Sequence, residues 1–82
     1  MYFVYILKGE KDGSFYVGQT KDIEDRLSRH NSGRENYTKL RMPWKLVYSE
    51  KAQTRVEAVR REEEIKRKKS RIYIEKLVAN KA

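Results

Sequence analysis

The chain contains no cysteine and a single histidine, His30. No disulfide can staple it and no thiolate can hold a metal. A structural zinc centre, which takes four Cys or His ligands, is excluded. Proline occurs once, at Pro43, and glycine four times, so no Pro- or Gly-rich linker divides the 82 residues. A chain of this length is expected to form one domain over 1–82. No apolar run approaches the ~20 residues of a membrane span. The apolar opening, Met1 to Leu7, is too short for a secretory signal and lacks its basic lead. The expectation is a cytoplasmic protein with no membrane association.

Charge is abundant. Lys and Arg number 20 against 12 Asp and Glu, for a net charge of +8. Such a balance points to a polyanionic partner: DNA, RNA or, with less support, an anionic membrane surface. A chain this short buries only about 60% of its unfolded surface. Its core must therefore draw on the six tyrosines, two phenylalanines and one tryptophan as well as on aliphatic side chains.

Residues Tyr2 to Leu7 are aromatic and β-branched, which reads as a buried strand. Gly9 to Ser14, with Asp12-Gly13 inside, reads as a turn. Phe15 to Gly18 then forms a second strand, and so short a link predicts an antiparallel hairpin. Thr20 or Asp22 can cap a helix running to about Asn31. Residues 32 to 43 read as a basic surface loop. Trp44 to Glu50 reads as a third strand, with Trp44, Leu46 and Tyr48 on one face. Thr54 and Glu57 fit a capping box for a helix reaching about Lys69. Ser70 can cap a last helix, with Ile74, Leu77 and Val78 at helical spacing. The order β-β-α-β-α-α predicts an α+β fold: a small three-stranded sheet, mixed or antiparallel, flanked by helices.

Three polar residues interrupt apolar helix faces. On the first helix, Ile23 and Leu27 lie about 40° apart and mark the buried stripe, with Arg26 and His30 beside it. On the second, Glu62 falls between Ala58 and Ile65. A buried charge is costly unless paired. One reading pairs Glu62 with Arg26 as a salt bridge and leaves His30 half-exposed. The other gathers all three around a shared cleft.

The strands add Tyr5 and Tyr16, and with them an ordered series: Phe3-Val4-Tyr5, Tyr16-Val17-Gly18, Arg26, His30 and Glu62. Further pieces are Asn31-Ser32-Gly33, Tyr37-Thr38, Arg41-x-Pro43, Leu46-Val47-Tyr48 and Ala58-x-x-x-Glu62-x-x-x-Lys66. This series resembles the GIY-YIG nuclease superfamily. The closest likeness is to its small single-domain members, which are similar to the amino-terminal nuclease module of the excision-repair incision subunit. Two departures stand out. The first tripeptide has Phe3 in place of Gly. Ile74 stands near the place where many family nucleases carry an Asn.

The resemblance implies an endonuclease that hydrolyses DNA phosphodiester bonds, of the structure-selective type met in repair and recombination. It implies one divalent ion, Mg²⁺ or Mn²⁺, held by Glu62. Such an ion prefers oxygen ligands and keeps several waters, so one carboxylate suffices. Arg26 would contact the scissile phosphate through its planar fork. Tyr5 would act as base and Tyr16 would orient the attacking water, although the residues themselves leave the choice between them open. His30 is the runner-up base. Gly18 completes the second motif. DNA contact is expected from Arg34, Lys39 and Arg41 in the loop and from Lys66, Arg67, Lys68, Lys69 and Arg71, through phosphates rather than bases. A protein partner or a dimer would supply specificity. The alternative is a nucleic-acid-binding module of the same fold with weak or no cleavage.

Overall fold

Each helix begins where a short polar side chain can satisfy its free amide groups. In the computed structural model, which describes residues 1–35 and 37–80, Asp22 accepts from the Asp25 amide at 3.1 Å and opens α1, Ile23–Asn31. Thr54 accepts from the Glu57 amide at 3.2 Å and opens α2, Arg55–Arg67. The Glu57 carboxylate reaches back one residue beyond the cap, to the Gln53 amide at 3.1 Å. Ser70 accepts from the Tyr73 amide at 3.1 Å and opens α3, Arg71–Ala79. None of the described helices is long and apolar enough to cross a membrane.

The strands are β1, Tyr2–Gly9, β2, Phe15–Thr20, and β3, Trp44–Ala52. They form one antiparallel sheet in the order β2-β1-β3, so the fold is α+β with the element order β-β-α-β-α-α. The central strand β1 is buried on both faces, which is why its residues are apolar or aromatic without interruption. Val4, Ile6 and Val17 pack with Ala58 and Ile65 on the α2–α3 side. Tyr5, Leu7 and Trp44 pack with Ile23 and Leu27 on the α1 side.

One expectation fails at β3. Trp44 and Leu46 do face α1, but Tyr48 packs on the opposite side with Val4 and Ile6. The register explains it: Ile6 opposes Tyr48 while Leu7 opposes Leu46, leaving Val47 as an extra residue. A bulge of this kind shifts the two-residue alternation by one place.

The segment between α1 and β3 is less of a surface loop than its composition suggests. Lys39–Arg41 form a 3₁₀ turn, and the preceding Thr38 is buried. The Trp44 indole Nε1 donates to the Thr38 carbonyl at 2.8 Å. The Asn31 side chain brackets the Trp44 backbone, donating to its carbonyl at 3.0 Å and accepting from its amide at 2.6 Å. These bonds fix the segment over the α1 face of the sheet.

Candidate active site

Tyr5 and Tyr16 lie on neighbouring strands with side chains on the α1 face, their ring centroids 6.3 Å apart. Tyr5 pairs in register with Gly18, and its ring lies across that glycine. A Cβ at position 18 would stand 2.6 Å from the Tyr5 hydroxyl oxygen. No real side-chain carbon tolerates that distance, so Gly18 is the residue that lets Tyr5 lie flat.

α1 brings His30 to the same place. Its ring centroid is 4.7 Å from that of Tyr16, and its Nε2 is 3.2 Å from the Tyr5 hydroxyl. Its Nδ1 is 3.0 Å from the Thr38 hydroxyl. His30 and Thr38 are each 1% exposed and Tyr5 2%. His30 is thus fully buried, contrary to the half-exposed reading, and both ring nitrogens are satisfied. Burial lowers its pKa below the ordinary 6.5, with Arg26 pushing the same way and Glu35 opposing, so the ring is neutral near pH 7. Burial also raises the Tyr5 phenol well above its ordinary range. Tyr16, Glu62 and Glu35 add to the rise, and Arg26 counters it. Tyr5 and His30 therefore rest as a neutral hydrogen-bonded pair. Tyr16 is half-buried and open to the neighbouring cleft.

Glu62 stands on α2, in the other layer, and is not among the residues that line the cleft along the β2 edge. Its side chain is 19% exposed, and its Oε2 accepts from Lys66 Nζ at 2.6 Å. The salt bridge with Arg26 is not formed; the partner is the lysine one turn on. That pair was legible, because Glu followed by Lys four residues later is a favourable spacing on a helix. Burial and Tyr16 raise the Tyr5 phenol most, and the more distant charges of Arg26 and Glu62 act on it in opposite directions.

A cleft of about 550 Å³ opens along the β2 edge. Phe15, Tyr16, Val17, Tyr37, Ile65 and Ile74 supply its aromatic and apolar lining, and Lys66, Lys69 and Arg71 its positive charge. Three of the five basic residues at the α2–α3 junction thus share one cavity. Arg67 and Lys68 do not line it, and the Lys68 ammonium lies 5.5 Å from the Tyr73 ring centroid. Arg34 and Lys39 are exposed outside it. Arg41 approaches Asp12 at 3.5 Å and lies over the Tyr37 ring at 4.9 Å. Lys69 has a positive φ of 47°, a conformation usual for glycine after a helix end.

Asn31 and Thr38 stand in the motif series, but nothing in the sequence assigns either a role. Their roles depend on contacts across the chain, and no periodic pattern marks them.

Tyr5 and Tyr16 on adjacent strands meet His30 from the next helix, while Arg26 and Glu62 stand on α1 and α2 in the same order along the chain. The family model of the GIY-YIG catalytic domain matches residues 1–77, and the chain belongs to this family. Among its relatives, a UPF0213 protein of Staphylococcus saprophyticus is 52% identical over 66 residues, 79% of each chain. One from Staphylococcus epidermidis is 50% identical over the same length and the same shares. The solution NMR structure of a UPF0213 protein from Bacillus halodurans is similar at TM-score 0.62 and 41% identity. That match covers 99% of this chain and 86% of that one.

Proposed function

We propose that the protein is a divalent-metal-dependent endonuclease that hydrolyses DNA phosphodiester bonds, selecting DNA structure rather than sequence. The observation that carries this reading is the buried Tyr5–His30 hydrogen bond beside Tyr16, at the side of a cleft with cationic walls. Hydrolysis needs an oriented water, a proton acceptor and neutralised phosphate charge. Tyr16, the phenol open to the cleft, orients the water. The Tyr5–His30 pair receives its proton. Arg26 holds the phosphate oxygens. Lys66, Lys69 and Arg71 track the flanking backbone, with Arg34, Lys39, Arg41, Arg67 and Lys68 as outer charges.

Among the described residues no group of three or more His, Asp or Glu could hold a metal. A single half-buried carboxylate nevertheless suits Mg²⁺ or Mn²⁺, which can keep most of its waters. Glu62 would hold one such ion, with Lys66 moving from the carboxylate to the substrate phosphate. When bound, the ion supplies Lewis acidity and charge neutralisation at the phosphate. The basic residues that track the backbone contact phosphates rather than bases, and a protein partner or dimer would provide specificity. The protein acts in the cytoplasm, on repair or recombination substrates.

The test is nicking of supercoiled plasmid with Mg²⁺ or Mn²⁺ by wild type, Glu62→Ala and Arg26→Lys. Loss of an acid–base or electrostatic group of this kind lowers rate roughly 100-fold or more, and that loss is expected in both variants, with DNA binding kept. Equal nicking by Glu62→Ala would remove Glu62 from the site. One observation favours the second reading, a binding module with weak or no cleavage: Ile74, which cannot coordinate or hydrogen-bond, lies in the cleft wall. Salt-sensitive binding without nicking on plasmid or branched DNA would establish it.

A further inference from the structure

Thr38 contributes the third member of the buried chain that begins at Tyr5. Neutral imidazole carries one N–H, and its position is set by what the other nitrogen faces. Here both neighbours are hydroxyls, each able to donate or accept. Two arrangements are conceivable, and they leave different hydrogens stranded.

In the first, His30 Nδ1–H donates to Thr38 Oγ1, and the Thr38 hydroxyl donates onward to the Glu35 carbonyl at 3.5 Å. His30 Nε2 then accepts from the Tyr5 hydroxyl. Every hydrogen in the chain has an acceptor. In the second, Thr38 donates to Nδ1 and Nε2–H donates to Tyr5. The Tyr5 hydroxyl hydrogen then has no acceptor among the described residues, inside a site where Tyr5 is 2% exposed. A stranded buried donor costs roughly 1–3 kcal/mol.

We propose that Thr38 is a positioning residue that locks His30 in the Nδ1–H tautomer, so that the Nε2 lone pair is aimed at the Tyr5 hydroxyl. Thr38 is itself held in place, because its carbonyl accepts the Trp44 indole N–H at 2.8 Å. The catalytic consequence rests on the nuclease reading. As water attacks phosphorus, its O–H bond breaks and its proton passes to Tyr5 Oη. The Tyr5 proton passes to His30 Nε2, forming an imidazolium that keeps its Nδ1–H on Thr38. The water oxygen bonds to phosphorus, and the P–O ester bond breaks with its electron pair on the leaving oxygen, which takes a proton from solvent. With the other tautomer Nε2 already carries a proton and cannot accept one.

The test is a long-range ¹H–¹⁵N correlation spectrum of the ¹⁵N-labelled full chain, which distinguishes the protonated from the bare ring nitrogen of His30. Wild type should show Nδ1 protonated. Thr38→Val, which keeps the shape and removes the hydroxyl, should abolish that signature, and Thr38→Ser should restore it. A wild-type spectrum with Nε2 protonated would overturn the proposal, whether or not any variant folds. An unchanged signature in Thr38→Val would overturn it too. In the nicking assay Thr38→Val should lose roughly tenfold or more in rate, part of the roughly 100-fold or more that a general base contributes, and Thr38→Ser should recover it. Wild type that never nicks would sink the nuclease reading and leave the tautomer assignment to stand or fall on the spectra.

Discussion

On the α2–α3 side of the sheet, Val4, Ile6, Val17, Ala58 and Ile65 close as an all-apolar cluster. On the α1 side, Tyr5, Leu7 and Trp44 share the interior with His30 and Thr38, the two buried polar residues among those described. One strand serves both, because alternate residues of β1 point to opposite faces. The apolar face holds its layer by burial, with the Arg61–Glu50 ion pair and the Arg61–Tyr73 contact at its rim. The polar face gives part of its interior to hydrogen bonds that are neutral when complete and costly when broken. The pairing teaches where stability and chemistry can be separated: a change at Ile6 and a change at Tyr5 are neighbours in sequence but act on different layers.

The contrast breaks most sharply at Ile6. Ile6→Ala leaves a cavity in a fully buried position, and the expected loss is about 2–5 kcal/mol in denaturant unfolding. Nicking per folded molecule should survive. A loss of nicking without a loss of stability would show that the two layers are not separable.

Gly18→Ala probes the same boundary from β2. The new Cβ would meet the Tyr5 phenol, and the crowding should destabilise by roughly 1–3 kcal/mol. The Tyr5–His30 bond should break, seen as altered His30 ring shifts, and nicking should fall. An intact bond in that variant would mean that the close approach is not what demands glycine.

The smallest effect is a pH dependence confined to the polar face. The folded-state pKa of His30 is depressed below the unfolded 6.5. As pH falls below about 6.5, the unfolded chain binds a proton that the folded chain excludes. Stability contributed by the neutral ring is therefore complete above that pH and is lost as pH falls toward the folded value. The thermal midpoint should drop between pH 7 and pH 5 in wild type and drop less in His30→Gln. Parallel curves would remove His30 as the sensor.

Local signals were readable without the structure. Asp22, Thr54 and Ser70 cap the helices because a side-chain oxygen two or three residues from a free amide needs nothing distant. Tyr5 and Tyr16 fall on paired strands because the turn between them is short. Other features were hidden. The bulge at Val47 has no mark in the sequence, since an extra residue is defined only against its partner strand. Thr38 sits among Arg34, Lys39 and Arg41, so its burial is masked by charged neighbours. Helical spacing puts Glu62 on an inward stripe, but of the two readings the spacing allows, the salt bridge to Arg26 gives way to a same-helix pair with Lys66.

By itself the sequence determined the order of elements, the positive charge, and membership of a nuclease family. Element order follows from periodicity and capping, which act over a few positions; charge follows from composition, and the family from the order of motif residues between Phe3 and Lys66. Only the tertiary structure decided that Tyr5 is buried while Tyr16 opens to the cleft, that His30 is neutral between two hydroxyls, and that Lys66, Lys69 and Arg71 share one cavity. The physical reason is that burial and hydrogen-bond satisfaction depend on which distant segment closes over a side chain. Here that segment is the turn carrying Thr38, pinned by Trp44, and its approach is set by packing rather than by any local pattern.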